Sequence, residues 1–211
     1  MLILGISTSS KNPSAAVMKD YSVIAYCCDR SGRSHSATLM GLVDNVLTEA
    51  NIKVDELNYI AVDVGPGSFT GVRIGVSAAN AIAYTVNAPL IPVSSLAALR
   101  NIAGNDDIVC AMIDCRNGNG YAAVYNKEQE LLSPCPCIID EVIASLPVGA
   151  VIVGDCNGNT DYPDARLVLQ EAATILNNNQ NAICSEAHPL YLRPSQAERI
   201  RANQHSPHCD T

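Results

Sequence analysis

The order of apolar and polar positions divides the chain into alternating strands and helices. MLILGISTSS is a continuous apolar run closing on hydroxyl-bearing residues, the pattern of a buried strand entering a turn. SAAVMKD and VIAYCCD follow as two further strands of a meander, joined by a turn at Lys19-Asp20. From Ser36 the spacing changes: Leu39, Leu42, Val43, Val46, Leu47 and Ala50 recur every three or four positions, which predicts a helix. LNYIAVDVG is apolar nearly throughout, as suits the middle of a sheet covered on both sides. The glycine-rich VGPGSFTGVRIG then feeds a helix from about Thr70 to Val86, closed by Asn87-Ala88-Pro89. PLIPVSSLAALR adds a short strand and a short helix.

A second, similar series begins near Ile108. IVCAMIDC and YAAVYN flank RNGNG, and the Asn-Gly step marks a hairpin. EVIASL reads as a short helix, AVIVGDC as a buried strand and ARLVLQEAATILNN as an amphipathic helix. Ser195 and Glu198 stand at capping-box spacing and predict a last helix over 195–205. The polar stretch Arg100 to Asp107 marks a seam, giving an N-terminal lobe of residues 1–101 and a C-terminal lobe of 102–194. The 195–205 helix is free to pack on the first lobe. The fold class expected is α/β, two related lobes with mixed sheets flanked by helices.

The helix after the glycine turn has two apolar sides. At about 100° per residue, Val72, Gly75, Val76, Ala79, Ala83 and Val86 share one face, and Ile74, Ala78, Ala81 and Ile82 fall roughly opposite. One face covers the sheet. The other meets either the Ser36–Asn51 helix of the same lobe or another subunit, and a helix pair can do both. On the second reading Leu39, Leu42, Val43, Val46, Ile74, Ala78, Ala81 and Ile82 are the interface residues.

Composition narrows the chemistry. The 211 residues are 48% hydrophobic, enough to bury a core, but carry a net charge of −8. Gripping nucleic acid unaided needs a basic footprint, so work on RNA requires a basic partner. With one Phe, eight Tyr and no Trp, a base-stacking platform is poorly supplied. The nine cysteines are odd in number, form no C-x-x-C pair, and several sit in apolar runs, so they read as reduced structural thiols. No run approaches membrane-spanning length and MLILGI lacks the flank of a signal peptide, so a cytoplasmic protein is expected.

The glycine turn itself leaves two readings open. A helix N-terminus behind glycines offers free N–H groups to an anion, with Ser68 or Thr70 as cap. Yet it is neither a Walker A loop nor G-x-G-x-x-G. Four histidines, His35, His188, His205 and His208, supply no paired ligand set, and no G-x-S-x-G elbow is present.

GISTSS, IAVDVGPGSFTGVRIGVSAANAIAY, APLIPVSSLAALR, MIDCRNGNGYAAVY and PLYLRPSQAE, in that order, resemble the TsaB family, also called YeaZ. The resemblance implies an actin-like ASKHA fold and an accessory, non-catalytic role in threonylcarbamoyladenosine formation on transfer RNAs reading ANN codons. It implies the paralogous transferase TsaD as partner, often the ATPase TsaE, a homodimer when alone, and tRNA contacts only through the complex. TsaD relatives hold a metal on an H-x-x-x-H pair; here Ser95 and Leu99 occupy those positions, so no metal of its own is expected. Relatives have Asp-Thr-Ser where this chain has Ser7-Thr8-Ser9. The turns nearest any nucleotide are then Ser7, Thr8, Ser9, Gly65, Gly67, Ser68 and Asp114, although Asp114 also reads as a hairpin-turn residue. No cofactor of its own is expected, with ATP or ADP, if used, at the junction of the complex. The competing reading is an autonomous ASKHA phosphotransferase or metallohydrolase.

Overall fold

The structure, a computed structural model, describes residues 1–104, 108–127, 129–178 and 182–193. The first sheet contains β1 (Leu2–Ser7), β2 (Ser14–Lys19), β3 (Ser22–Cys28), β4 (Tyr59–Asp63) and β5 (Leu90–Val93), in the order β3-β2-β1-β4-β5. β1, β4 and β5 run parallel, while β2 and β3 turn back antiparallel. The hairpin between β2 and β3 turns at Asp20 and Tyr21, both at positive φ, one residue later than the sequence suggested.

Both faces of this sheet are covered, which explains its nearly unbroken apolar strands. α1 (His35–Ala50) and α2 (Phe69–Val86) pack Leu42, Val46, Val76 and Ala83 against Leu4, Ile6, Val17 and Val62. The opposite face, with Ile3, Ala16, Met18 and Ile91, is closed by Val168, Leu169 and Ala172 of α5 (Ala165–Asn178).

The second sheet is β6 (Ile108–Asp114), β7 (Asn119–Asn126), β8 (Glu130–Ile138) and β9 (Val151–Gly154), in the order β8-β7-β6-β9. Leu96 and Leu99 of α3 (Ser95–Arg100) pack on Val109, Ala111, Ala123 and Val153. The other side carries α4 (Ile139–Ser145) over Cys110, Met112 and Ala122. β8 has no counterpart in the sequence reading. Its Pro134 and Pro136 argue against a strand, and they are tolerated because β8 lies at the edge of the sheet.

The lobes exchange helices, and this corrects the boundary at residue 102. α3 follows a strand of the first sheet but covers the second, whereas α5 follows a strand of the second and covers the first. Arg100 of α3 joins Glu171 of α5 by two bonds, Nε to Oε2 at 3.1 Å and Nη2 to Oε1 at 2.9 Å. Asn101 Nδ2 donates to Glu171 Oε2 at 3.2 Å, and Glu171 is buried. The predicted 195–205 helix lies outside the described residues, as do His205 and His208. Among the described residues no helix is long and apolar enough to cross a membrane.

The glycines that opened the phosphate question serve close approach. A Cβ on Gly71 would strike the backbone oxygen of Thr8, and one on Gly75 would strike Thr8 Oγ1. Thr8 Oγ1 already donates to Gly71 O at 2.7 Å, so α2 lies directly on the first turn.

Two substitutions test this frame by urea unfolding. Gly71→Ala should cost about 2 kcal/mol or more, because backbone must move. Arg100→Ala should cost about 3 kcal/mol, since it strands a buried carboxylate.

Candidate functional site

β1, β4 and β5 end at one edge of the first sheet, and the residues that leave these ends converge on Asp63. Its carboxylate is fully buried. Oδ2 accepts from Ser7 Oγ at 2.8 Å and Ser9 Oγ at 2.5 Å. Oδ1 accepts from Ser95 Oγ at 2.5 Å and from the Gly65 backbone N–H at 3.0 Å. Four donors thus fill the four acceptor positions of one carboxylate. Burial pushes its pKa above the usual 3.8, and the donors from Ser9, Ser95, Gly65 and Ser7 oppose that rise. Sequence reasoning missed Asp63. Its signal is an acid ending an otherwise apolar strand immediately before the glycine turn.

A cleft of about 800 Å³ lies between the lobes, in front of this cluster. Of the turn residues expected near a nucleotide, Ser9, Gly67, Ser68 and Asp114 line it. Ser7, Thr8 and Gly65 do not: all three are buried behind the wall, Ser7 and Gly65 bonding Asp63 and Thr8 bonding α2. Ser68 caps α2, its Oγ accepting from Gly71 N at 3.2 Å. Asp114 serves its hairpin, with Oδ1 accepting from Arg116 N at 2.7 Å. Its own N–H donates to Asp155 Oδ1 at 2.7 Å. Burial, together with the nearby Asp114, holds Asp155 above the ordinary carboxylate range, against the bond from Asp114 N–H and the pull of Lys11. At the cleft mouth His35 Nε2–H donates to Ser10 O at 2.8 Å.

These residues do not fit a metal–nucleotide. Where the resemblance places an Asp, the first turn carries Ser7, whose hydroxyl donates to Asp63. Ser95 is likewise committed, and Leu99 is buried in the core under α3. Among the described residues no group of three or more His, Cys, Asp or Glu is placed to hold a metal ion. The described cysteines are free, and burial pushes Cys110 up to about 11 and Cys156 up to about 12, so these two thiols stay protonated.

The interface reading needs correction at five positions. Leu39, Leu42, Val43, Val46 and Ile82 are buried within their own lobe, so no partner reaches them. Ile74 and Ala78 are half-buried and Ala81 is exposed. The exposed residues of α2 are Phe69, Thr70, Arg73, Ser77, Ala81, Tyr84 and Thr85, with Ile74 and Ala78 half-buried beside them. Tyr84 is 91% exposed, and Met40 on the neighbouring α1 is 54% exposed.

The two-lobed arrangement is that of two solved structures from Pseudomonas aeruginosa. One is described as YeaZ and the other as an uncharacterized protein similar to peptidase YeaZ. Each superposes with a TM-score of 0.76, at 22% and 24% identity, over 90% and 91% of this chain and 99% of the other. The fold is that of these YeaZ structures. The family model for TsaD, tRNA N6-adenosine threonylcarbamoyltransferase, matches residues 29–146, more than half of the chain. The TsaB of Bacillus subtilis, a tRNA threonylcarbamoyladenosine biosynthesis protein, is 33% identical over 136 residues, 63% of this chain and 58% of that protein. The Escherichia coli TsaB is 34% identical over 132 residues, 61% of this chain and 57% of that protein. The chain therefore belongs to the family that this TsaD model describes. It spans somewhat under three fifths of the length of these curated relatives.

Replacing Asp63 tests the cluster. Because the native fold raises the Asp63 pKa, the native state holds this proton more tightly than the unfolded chain. Its contribution to stability is then fullest below about pH 4 and is lost as pH rises through the folded value. Unfolding free energies of wild type minus Asp63→Asn should therefore shrink as pH rises above about 4. A constant difference would mean the two states hold the proton alike.

Proposed function

We propose that the protein is a non-catalytic scaffold that works with the transferase TsaD, and with the ATPase TsaE, in threonylcarbamoylation of adenosine beside the anticodon of transfer RNAs reading ANN codons. The observation that carries this reading is the exposed stripe of α2 around Ala81 and Tyr84, left over after the helix has covered its own sheet and neighboured by the exposed Met40 of α1. The commitment of Ser7, Ser9 and Ser95 to Asp63 supports the non-catalytic part, since the hydroxyls at the strand ends are occupied as struts. The relatives' names place them in threonylcarbamoyladenosine formation, some as TsaB and some as the transferase itself.

On this reading the α1–α2 surface pairs with a second copy when the protein is alone and with TsaD when it is present. ATP or ADP, where used, sits at the junction of the complex. The acidic chain meets tRNA through its partners, in the cytoplasm. Net charge −8 supports that division of labour.

Reconstitution tests the proposal. Alone, the protein should hydrolyse no ATP; added to TsaD and TsaE with unmodified tRNA, it should restore modification. Full-rate modification in its absence would defeat the reading. Tyr84→Arg, on a side chain that packs against little of its own subunit, should leave thermal stability unchanged and weaken complex formation by about tenfold or more, measured by sedimentation.

A further inference from the structure

The segment after α5 crosses the molecule as an extended strap. Cys184 and Leu90 exchange both backbone bonds at the sheet edge, at 2.8 and 3.0 Å. Asn80 of α2 holds Ala187 by a second pair, Nδ2 donating to Ala187 O and Oδ1 accepting from Ala187 N, both at 2.9 Å. Leu190 N donates to Val64 O at 2.7 Å. The Tyr191 ring then stacks on Phe69, with centroids 5.1 Å apart, and its hydroxyl accepts from Arg73 Nε at 2.6 Å. The Arg73 guanidinium also lies 4.0 Å from the Phe69 centroid. Two residues later the chain has reached the other lobe, where the Arg193 guanidinium lies 5.7 Å from the ring of Tyr121 on β7. Tyr191, Leu192 and Arg193 all line the cleft.

The strap has an attachment on each lobe. On the first lobe it is fixed by backbone bonds and by the buried Ala187. On the second lobe the contact described is the Arg193 cation resting on the ring of Tyr121. The first-lobe end lies beside Arg73, which is exposed on the same stripe of α2 as Ala81 and Tyr84.

We propose that residues 191–193 are a clasp that sets the separation of the two lobes across the cleft, and that a protein seated on α2 tightens it through Arg73. The second half rests on the docking role proposed above for α2. A partner that covers Arg73 removes water from its contact with Phe69 and Tyr191 and so strengthens it. By linkage, a tightened clasp favours the partner in return.

Spin labels on encoded non-natural residues at Asp44 of α1 and Glu141 of α4, both exposed, read the separation by pulsed electron resonance. Wild type should give one narrow distance distribution. Tyr191→Ala and Arg193→Ala should broaden it and shift it to longer distance. Tyr191→Phe, which keeps the ring and loses the Arg73 bond, should fall between them and wild type. Circular dichroism checks folding, and Arg193→Ala carries the test should Tyr191→Ala not fold. A distribution for Arg193→Ala that matches wild type overturns the clasp. Adding TsaD should shift the wild-type distribution to shorter distance. An unchanged distribution with binding verified by sedimentation overturns the coupling but leaves the clasp standing. Failure of TsaD to bind at all defeats the docking reading, and the coupling with it.

Discussion

Asp63 is the point through which the strand ends of the first lobe are tied together. A carboxylate taken wholly out of water is costly unless its oxygens are filled, and here three hydroxyls and one backbone N–H fill them. Those donors come from the end of β1 and the turn after it, from the glycine turn after β4 and from the start of α3. One buried acid thereby fixes the floor of the cleft, the entry of α2 and the helix that bridges to the second lobe. The hydroxyls of Ser7, Ser9 and Ser95 at these turns point inward, to Asp63.

That inward orientation links the glycines to the proposed docking surface. Because Gly71 and Gly75 let α2 lie directly on the Thr8 turn, its inner face is consumed by the sheet and its outer stripe is left bare. The rigidity of the floor and the exposure of Tyr84 are two sides of the same packing. The exchanged helices α3 and α5, joined through Arg100 and Glu171, tie the two lobes together.

Much of this was legible from residue spacing. The limits of α2 follow from Ser68 as cap and from Asn87, which adopts the left-handed conformation that ends the helix. The hairpin at Arg116-Asn117-Gly118 follows from residues that accept positive φ. β8 was hidden because its prolines count against a strand unless its edge position is known, and that position is a tertiary fact. α5 was placed in the wrong lobe because amphipathic spacing reveals an apolar face and says nothing about which sheet receives it. The same limit misplaced Leu39, Leu42, Val43, Val46 and Ile82: a helix wheel sorts faces, but only packing decides which face is covered. Asp63 was invisible as a site because its meaning lies in Ser7, Ser9 and Ser95, up to fifty-six positions away in sequence.

The central claim is that this molecule acts through the outer stripe of α2 and not through chemistry in its own cleft. Hydrogen–deuterium exchange of the protein, with and without TsaD and with and without magnesium ATP, tests it most directly. The account predicts that TsaD slows exchange along α1 and α2, and that magnesium ATP leaves the isolated protein unchanged. Protection by magnesium ATP alone at the turns after β1 and β4, with none on α2 from TsaD, would contradict it.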